Sequence, residues 1–422
     1  MRVPFPFSGP LARGAATVAA AMLAGTRLVP PLDAEALFSA AGVDPATDPD
    51  ALEPLTAMIG SARGELGLGV RGRVLLGQRF TGILETRGRL RGRSDLTGQV
   101  ASDPEAPILV VTGFPRTGTT LTHRLLAAAP DAIAPRWYEL MEPSLDPEGN
   151  VDAERRRRRD RWRRALGAVD LLSPGLRRVH EIIFDGPEEC THLHEAAFDT
   201  ESFALAGPCS DYQDWLDDRT PARRRLRYEW QATCLEAILR DRPEEDRSGR
   251  WVLKAPQHLL QMDDLFAVFP QARIVRMHRD PIDAMTSAAS LVRHASKIVG
   301  GRLDSSRAEE VVDVFEEWQD RGDEGTRSHP EAVLEIHYDD LVADPVPVVE
   351  RIHDFAGLPL TGAHVDRIRI HLDRRPRHHF GRHRYRTEDF GIDAAATRER
   401  LAPYLDRIAE LRTTTPGIAG LG

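Results

Sequence analysis

The 422-residue sequence is poor in cysteine and has no long apolar run. Its cysteines, Cys190, Cys209 and Cys234, are odd in number and too widely spaced to pair as zinc-ribbon ligands do. We therefore expect structural thiols in a reducing, cytoplasmic setting. No stretch approaches the roughly 18 apolar residues that span a bilayer. The alanine-rich run 15–24 is about half that length, which predicts an N-terminal helix rather than a secretory signal.

An excess of positive charge is also missing. The chain carries 56 Lys and Arg against 65 Asp and Glu, a net charge of −9, which argues against general nucleic-acid affinity. The run 154–164, ERRRRRDRWRR, departs from this balance. Its acidic members and Trp162 predict a long helix with a solvated basic face, and the alternative is contact with an anionic substrate or a phospholipid surface. The sequence thus also allows peripheral membrane contact, either there or through the helix at 15–24.

The most informative absence is one lysine in the segment 107–121, PILVVTGFPRTGTTL. The segment predicts a buried strand, a Gly-rich loop and a helix, which together direct backbone N–H groups and a helix dipole at one point. The spacing from Gly113 to Gly118 matches the nucleotide-binding P-loop, but Thr119 stands where that loop has its lysine. Arg116 is the only cation inside the loop. The loop should therefore bind a phosphate-like group without the standard equipment of an NTPase.

The rest of the chain alternates apolar strands with helical segments. Strands are predicted at 108–112, 251–254, 272–277 and 332–337, and helices of the first hundred residues at about 32–41, 52–66 and 73–90. This pattern predicts an α/β fold: a P-loop-like parallel sheet flanked by helices, with a helical N-terminal extension over 1–100. Ligands of such sheets bind beyond the carboxyl ends of the strands, so the loops after Thr112, Lys254 and Met277 should share one crevice.

A second anion site is predicted after the strand 272–277. Arg279 follows the strand end, and Ser287 lies on the next helix, where Pro281 suits the first turn. A guanidinium and a hydroxyl so placed can share one phosphate through charge-assisted hydrogen bonds. Two anion sites in one crevice fit a nucleotide that carries charged groups at both its 5′ and 3′ ends.

These motifs resemble those of the sulfotransferases that use 3′-phosphoadenosine 5′-phosphosulfate (PAPS), especially the larger bacterial members. Pro115-Arg-Thr-Gly-Thr-Thr-Leu121 looks like their 5′-phosphosulfate loop with arginine in place of lysine, and Arg279-Asp-Pro with Ser287 is similar to their 3′-phosphate motif. Further similar segments follow in the family's order at 337–345, 357–359, 383–385 and 389–391. The resemblance covers about residues 105–410. It implies a sulfotransferase-like α/β domain at 101–422, with helical acceptor-binding segments inserted at about 150–245.

The resemblance implies a metal-independent enzyme that moves a sulfuryl group from PAPS to a hydroxyl of a small-molecule or lipid acceptor. The residues implied for the 5′ group are Pro115, Arg116, Thr117, Gly118, Thr119 and Thr120. Those implied for the 3′-phosphate are Arg279 and Ser287, with Arg382 or Arg384 as a further clamp. Arg116 and the loop donors would stabilise the charge that grows on the departing phosphate.

Two residues are candidates for the general base. Glu139 matches relatives that use a glutamate after the loop helix, whereas His258 lies two residues beyond the histidine position of small cytosolic members. Lys254 is expected either to stabilise the transferring group or to pair with a nearby carboxylate. Glu188 and Glu189 are expected in a loop that lines the acceptor site.

Two other functions compete with this one. A P-loop kinase-like phosphotransferase would need a loop lysine and a magnesium-binding carboxylate at a strand end, and the sequence displays neither. A non-catalytic nucleotide-binding protein of the same fold would keep both anion sites and lose the base. Preferential binding of adenosine 3′,5′-bisphosphate over ATP with magnesium would distinguish a sulfotransferase from a kinase-like enzyme. Transfer of label from PAPS would distinguish it from a non-catalytic protein.

Overall fold

The computed structural model describes residues 32–98, 107–146, 149–172, 180–207, 209–299, 308–375 and 387–413. The run 15–24, Arg382 and Arg384 lie outside these ranges. The described strands are β1 (Ile108–Thr112), β2 (Ala132–Ile133), β3 (Arg250–Lys254), β4 (Ala272–His278) and β5 (Val333–His337). The described α-helices are α1 (Ala34–Ala41), α2 (Pro49–Gly64), α3 (Val70–Arg91), α4 (Thr119–Leu126), α5 (Trp137–Met141), α6 (Val151–Leu172), α7 (Thr191–His194), α8 (Ser210–Asp217), α9 (Pro221–Asp241), α10 (Met262–Val268), α11 (Pro281–Val299), α12 (Ala308–Ser328), α13 (Tyr338–Ala343), α14 (Pro345–Phe355), α15 (Gly362–Arg374), α16 (Ala394–Arg400) and α17 (Ala402–Thr413).

The strands form a five-stranded parallel sheet in the order β2-β3-β1-β4-β5. Val111 of β1 pairs with Lys254 on one side and with Val275 on the other, which sets the carboxyl ends of β1, β3 and β4 at one edge. The predicted α/β fold and its strands are confirmed. The two-residue β2 is an addition, because so short an edge strand leaves no apolar pattern to detect.

Both faces of the sheet are covered, and β1 shows how. Its side chains alternate between the two faces, as the pleat of a strand requires. Ile108 and Val110 enter an apolar core shared with α9 and α10. Leu109 and Val111 enter a second core, shared with α4 and α14. The strand is therefore buried along its whole length, which explains its unbroken apolar sequence.

The helical extension packs against the segment inserted between β2 and β3. Phe80 of α3 meets Phe198 and Phe203 edge to face, with ring centroids 5.9 and 5.6 Å apart. The Arg79 guanidinium also pairs with the Glu195 carboxylate at 2.6 Å. The extension and part of the insert thus share one core. Within the described ranges, no helix has both the length and the apolar character needed to cross a bilayer.

Candidate active site

The loop after β1 has the backbone of an anion cradle. Gly113 and Gly118 have φ angles of +142° and +97°, and Arg116, which has a side chain, still adopts a left-handed φ of +73°. A Cβ atom on Gly118 would lie 2.7 Å from the Tyr338 ring, so only glycine fits there. The backbone N–H groups of Thr117, Gly118 and Thr119 donate to no acceptor in the described part of the chain. They are thus available to a bound anion at the start of α4.

The side chains of the loop stabilise this conformation. The Thr117 hydroxyl donates to the carbonyl oxygen of Phe114 at 2.8 Å, which closes the turn from within. The Thr122 hydroxyl donates to the carbonyl oxygen of Gly118 at 3.2 Å. Pro115, between Phe114 and Thr117 in the sequence, is half-buried. The cradle is thus formed before any ligand arrives, which lowers the ordering cost of binding.

The two predicted anion sites meet at Arg116. Its Nε donates to the Ser287 hydroxyl at 3.0 Å, and a guanidinium N–H of Arg279 donates to its backbone carbonyl oxygen, also at 3.0 Å. The Arg279 guanidinium lies 4.5 Å from the centroid of the Tyr338 ring, which holds it beside the loop. The structure therefore brings Arg116, Arg279 and Ser287 together, as expected from their strand-end positions.

Lys254 forms the second centre of the site. Its side chain at the end of β3 is fully buried, and its ammonium donates to the Thr120 hydroxyl of α4 at 3.3 Å. The ammonium also contacts the Glu189 carboxylate and lies 3.9 Å from a carboxylate oxygen of Glu188. The Lys254 carbonyl oxygen accepts from the backbone N–H of Cys190 at 2.8 Å, which holds the segment with Glu188 and Glu189 next to the end of β3. One buried cation thus links the loop helix to two carboxylates.

The electrostatics of this cluster keep both glutamates ionised. Burial alone would raise the pKa of Glu189, but the nearby Lys254 and His180 charges hold it below the ordinary value of 4.5. Burial likewise opposes ionisation of Glu188, and His180, at 3.5 Å, together with Lys254 holds the pKa of Glu188 below its ordinary range. His180, Glu188 and Glu189 have potential ligand atoms within 4.8 Å of one another, but the Lys254 ammonium already contacts both carboxylates.

The two base candidates from the sequence have other partners. Glu139 is buried, accepts from the backbone N–H of Arg136 at 2.8 Å, and is held by the Arg242 guanidinium, whose Nε lies 2.9 Å away. His258 is buried as well, with its Nδ1 3.3 Å from the Tyr228 hydroxyl. Burial, with the charges of His194 and Arg227, holds the pKa of His258 well below its ordinary value.

These contacts favour structural roles for Glu139 and His258. In the described structure, neither side chain forms a hydrogen bond with the loop or with Lys254. Glu139 caps α5 and neutralises a buried arginine, and both of its carboxylate oxygens already accept hydrogen bonds from these partners. Sequence reasoning missed that Glu189 is the carboxylate facing Lys254. The available signal was the lysine itself, because a buried ammonium at a strand end requires a nearby counter-charge.

The central strand of the parallel sheet leads into a loop with free backbone N–H groups, and a buried cation lies at the next strand end. This is a P-loop-like arrangement suited to binding an anion. The sequence model of the sulfotransferase family matches residues 107–362, more than half of the chain. The chain therefore belongs to the sulfotransferase family of enzymes, and the resemblance found in the sequence motifs is confirmed.

Known relatives agree with this assignment. The chain is 27% identical over 276 residues to the omega-hydroxy-beta-dihydromenaquinone-9 sulfotransferase Stf3 of Mycobacterium bovis, covering 65% of this chain and 68% of the relative. The Mycobacterium tuberculosis protein of that name matches equally. The crystal structure of sulfotransferase STF9 from Mycobacterium avium has a TM-score of 0.68 at 23% identity, covering 93% of this chain and 96% of that one. STF1 from Mycobacterium tuberculosis has a TM-score of 0.66 at 22% identity, covering 92% and 98%. These two structures support the fold, including its N-terminal helices.

Proposed function

We propose that this sulfotransferase uses PAPS as donor and transfers the sulfuryl group to a hydroxyl of a lipid or other apolar small molecule. The contact of Arg116 with both Ser287 and Arg279 carries the proposal, because it sets a loop cation beside a second anion site. Stf3 is named for an omega-hydroxylated menaquinone derivative, which supports a lipid acceptor. The three cysteines are free and buried, which fits the reducing cytoplasm that we propose as its location.

The described residues fit such a donor. PAPS supplies an activated sulfuryl group on its 5′-phosphate. Residues 115–120 would bind the 5′ end through the free loop N–H groups and Arg116, and Arg279 with Ser287 would bind the 3′-phosphate. Arg382 and Arg384 stay proposed as further 3′-phosphate ligands. The loop lacks the lysine with which an NTPase holds the outer phosphates, and its cation is Arg116 instead. A kinase-like reaction is therefore less well supported.

We assign the general base to Glu189, with Lys254 as the group that controls it. The Lys254 ammonium can turn from Glu189 towards negative charge bound at the loop, where it already contacts Thr120. Glu189 then loses a stabilising charge and gains proton affinity, as a base near neutral pH requires. The acceptor oxygen would attack sulfur, the bond from sulfur to the phosphate oxygen would break, and Glu189 would accept the hydroxyl proton. Arg116 would stabilise the departing phosphate.

The 3′-phosphate assignment gives a ligand-specific prediction. Arg279→Ala is expected to weaken binding of adenosine 3′,5′-bisphosphate by roughly 10- to 100-fold, because a hydrogen bond to a charged group is worth about 1.5–3 kcal/mol. Affinity for adenosine 5′-monophosphate, which lacks the 3′-phosphate, should change little. Isothermal titration calorimetry with both nucleotides measures the difference, and Ser287→Ala should show the same selectivity on a smaller scale. An equal loss for both nucleotides would mean that Arg279 only supports the loop.

The Lys254–Glu189 pair predicts a shift in pH dependence. Because the pKa of Glu189 lies below 4.5, kcat/KM should stay level from about pH 8 to about pH 5 and fall only at lower pH. Lys254→Met removes the charge that lowers this pKa and leaves the burial that raises it, so the acid limb should move to higher pH by about one unit or more. Lys254→Arg keeps the charge and serves as the control. An acid limb at the same pH in Lys254→Met and the wild type would remove Glu189 from this role, provided circular dichroism shows both folded.

Transfer of label tests the reaction itself. Purified protein is incubated with ³⁵S-labelled PAPS and detergent-dispersed omega-hydroxy-beta-dihydromenaquinone-9, and a parallel reaction contains γ-³²P-labelled ATP with magnesium. We expect labelled sulfate ester from the first reaction and no labelled lipid from the second. Label from ATP alone would establish a kinase. Tight binding of the bisphosphate without transfer to this lipid, or to any lipid of a cell extract, would indicate a non-catalytic protein.

A further inference from the structure

Helix α6 has two chemically different faces. At 100° per residue, Arg155, Arg158, Trp162 and Leu166 lie on one side of the helix axis. The opposite side carries the exposed arginines Arg156, Arg157, Arg161, Arg163 and Arg164. Both faces come from the one arginine-rich run, yet the structure uses them differently.

The inner face anchors α6 to the body of the protein. Arg155 donates from its Nε to the Asp241 carbonyl oxygen at 2.6 Å, and Arg158 donates to the Glu142 carbonyl oxygen at 3.0 Å. The Trp162 indole donates to the Glu142 carboxylate at 3.0 Å, and its ring meets Trp137 edge to face. These bonds explain why this side of the helix is buried or half-buried despite its arginines.

The outer face makes fewer contacts inside the molecule: Arg161 pairs with the Glu142 carboxylate at 2.9 Å, and Arg163 lies over the Phe184 ring. The side chains of Arg157 and Arg163 are 68% and 58% exposed, and their acidic partners, Glu154 and Asp160, lie on the helix itself. Arg156 and Arg164 are exposed and form no ion pair with a residue in the described part of the chain.

Some exposed arginines elsewhere are neutralised by acidic groups from other elements. Arg400 pairs with both Asp313 and Glu316, and Arg398 lies 2.8 Å from Asp280. In a chain of net charge −9, five exposed arginines within residues 156–164, with one acidic residue among them, make this face locally basic. Asp160 is the acidic residue in the middle of that face.

We propose that the outer face of α6 binds the anionic phospholipid surface of a membrane. Arginine guanidinium groups pair with phosphate oxygens in a forked geometry, which suits lipid headgroups. The exposed arginines lie between residues 156 and 164, about 12 Å along the helix axis, and so form one compact basic patch that can face a planar array of headgroups. The proposal rests on the lipid acceptor of the proposed function and names the surface on which that acceptor is met.

Contacts from the flanks of α6 link this surface to the candidate active site. Arg159 on the flank of α6 pairs with the carboxylate of Asp185, in the segment that continues to Glu188 and Glu189. The Arg163 guanidinium also lies 4.8 Å from the centroid of the Phe184 ring. A membrane bound at α6 would therefore lie next to the segment that carries the proposed base, where a lipid hydroxyl has to arrive.

Vesicle binding without turnover tests the proposal. The full chain is mixed, in the absence of PAPS, with phosphatidylcholine vesicles that contain about 30% phosphatidylglycerol, and bound protein is measured by sedimentation. The triple variant Arg156→Gln, Arg157→Gln, Arg164→Gln should bind roughly 100-fold more weakly, because each arginine contributes about fivefold near an anionic surface. The matched control removes exposed arginines of α15: Arg367→Gln, Arg369→Gln, Arg374→Gln.

The outcomes are distinct from those of the reaction assay. Binding that requires phosphatidylglycerol, is lost at about 0.5 M salt and depends on the α6 arginines would support the proposal. Equal binding by the two triple variants would overturn it, as would tighter binding to a DNA duplex than to the vesicles. Because no PAPS is present, a failure here leaves the proposed transfer reaction untouched. Likewise, a protein that binds vesicles through α6 but shows no sulfuryl transfer would still support the membrane-binding proposal.

Discussion

Replacement of Arg116 by alanine is expected to lower kcat about 1,000-fold. In the proposed mechanism Arg116 is the loop cation that meets the negative charge developing on the departing phosphate, and removal of one such donor costs about 10²–10³ in kcat. Because the loop N–H groups of residues 117–119 are backbone groups, they should still bind the 5′-phosphate. Affinity for adenosine 3′,5′-bisphosphate should therefore fall much less than kcat does.

Single-turnover kinetics with PAPS, beside calorimetry with the bisphosphate, measures these two effects separately. Arg116→Lys is the informative control, since it keeps the charge but loses the forked geometry and the Nε donor that reaches Ser287. We expect it to recover part of the lost rate. A kcat for Arg116→Ala within tenfold of the wild type would contradict the assigned role.

Glu189→Gln should be nearly as damaging, with a loss of about 10²–10⁴ in kcat. A positioned general base contributes this much, and the amide keeps the shape of the side chain while it loses the ability to accept a proton. The KM for PAPS should stay close to that of the wild type, because the donor contacts are assigned to the loop and to α11. The rate of the chemical step, measured by rapid quench, reports this loss directly.

Two other glutamates provide the controls for this experiment. Glu188→Gln leaves Glu189 beside Lys254, so we expect a smaller loss of kcat, within about tenfold. Glu139→Gln leaves Arg242 without its carboxylate in a buried position, which should lower the free energy of unfolding by about 3–5 kcal/mol while the folded protein keeps its kcat. A large loss of kcat in Glu139→Gln, with Glu189→Gln unaffected, would return the base to Glu139.

Much of the fold could be predicted from local sequence patterns. Runs such as 108–112 and 272–277 are short, apolar and bounded by turn-forming residues. Strands that are buried on both faces of a parallel sheet have such continuous apolar sequences, so these strands could be recognised from the sequence. The loop and the Arg279–Ser287 pair were predictable for a similar reason. Their positions just after strand ends determine which edge of the sheet they share, whatever the strand order.

The partners of buried charges were not predictable in this way. Glu139 and Glu189 look alike in the sequence, and only the tertiary structure gives Arg242 to one and Lys254 to the other. The two faces of α6 are hidden for the same reason, because an arginine-rich run does not show which guanidinium groups find carbonyl oxygens inside the protein. Such pairings depend on segments far apart in the chain, beyond the reach of periodicity and spacing.

The most direct test of the central claim is calorimetric titration of the purified protein with adenosine 3′,5′-bisphosphate and, separately, with ATP and magnesium. Because Arg116 contacts both Ser287 and Arg279, we expect micromolar or tighter binding of the bisphosphate. Its Kd should be at least about tenfold lower than that of ATP, since one well-placed charged contact is worth about 1.4 kcal/mol or more. Tight binding of ATP with magnesium, together with no measurable binding of the bisphosphate, would contradict the account.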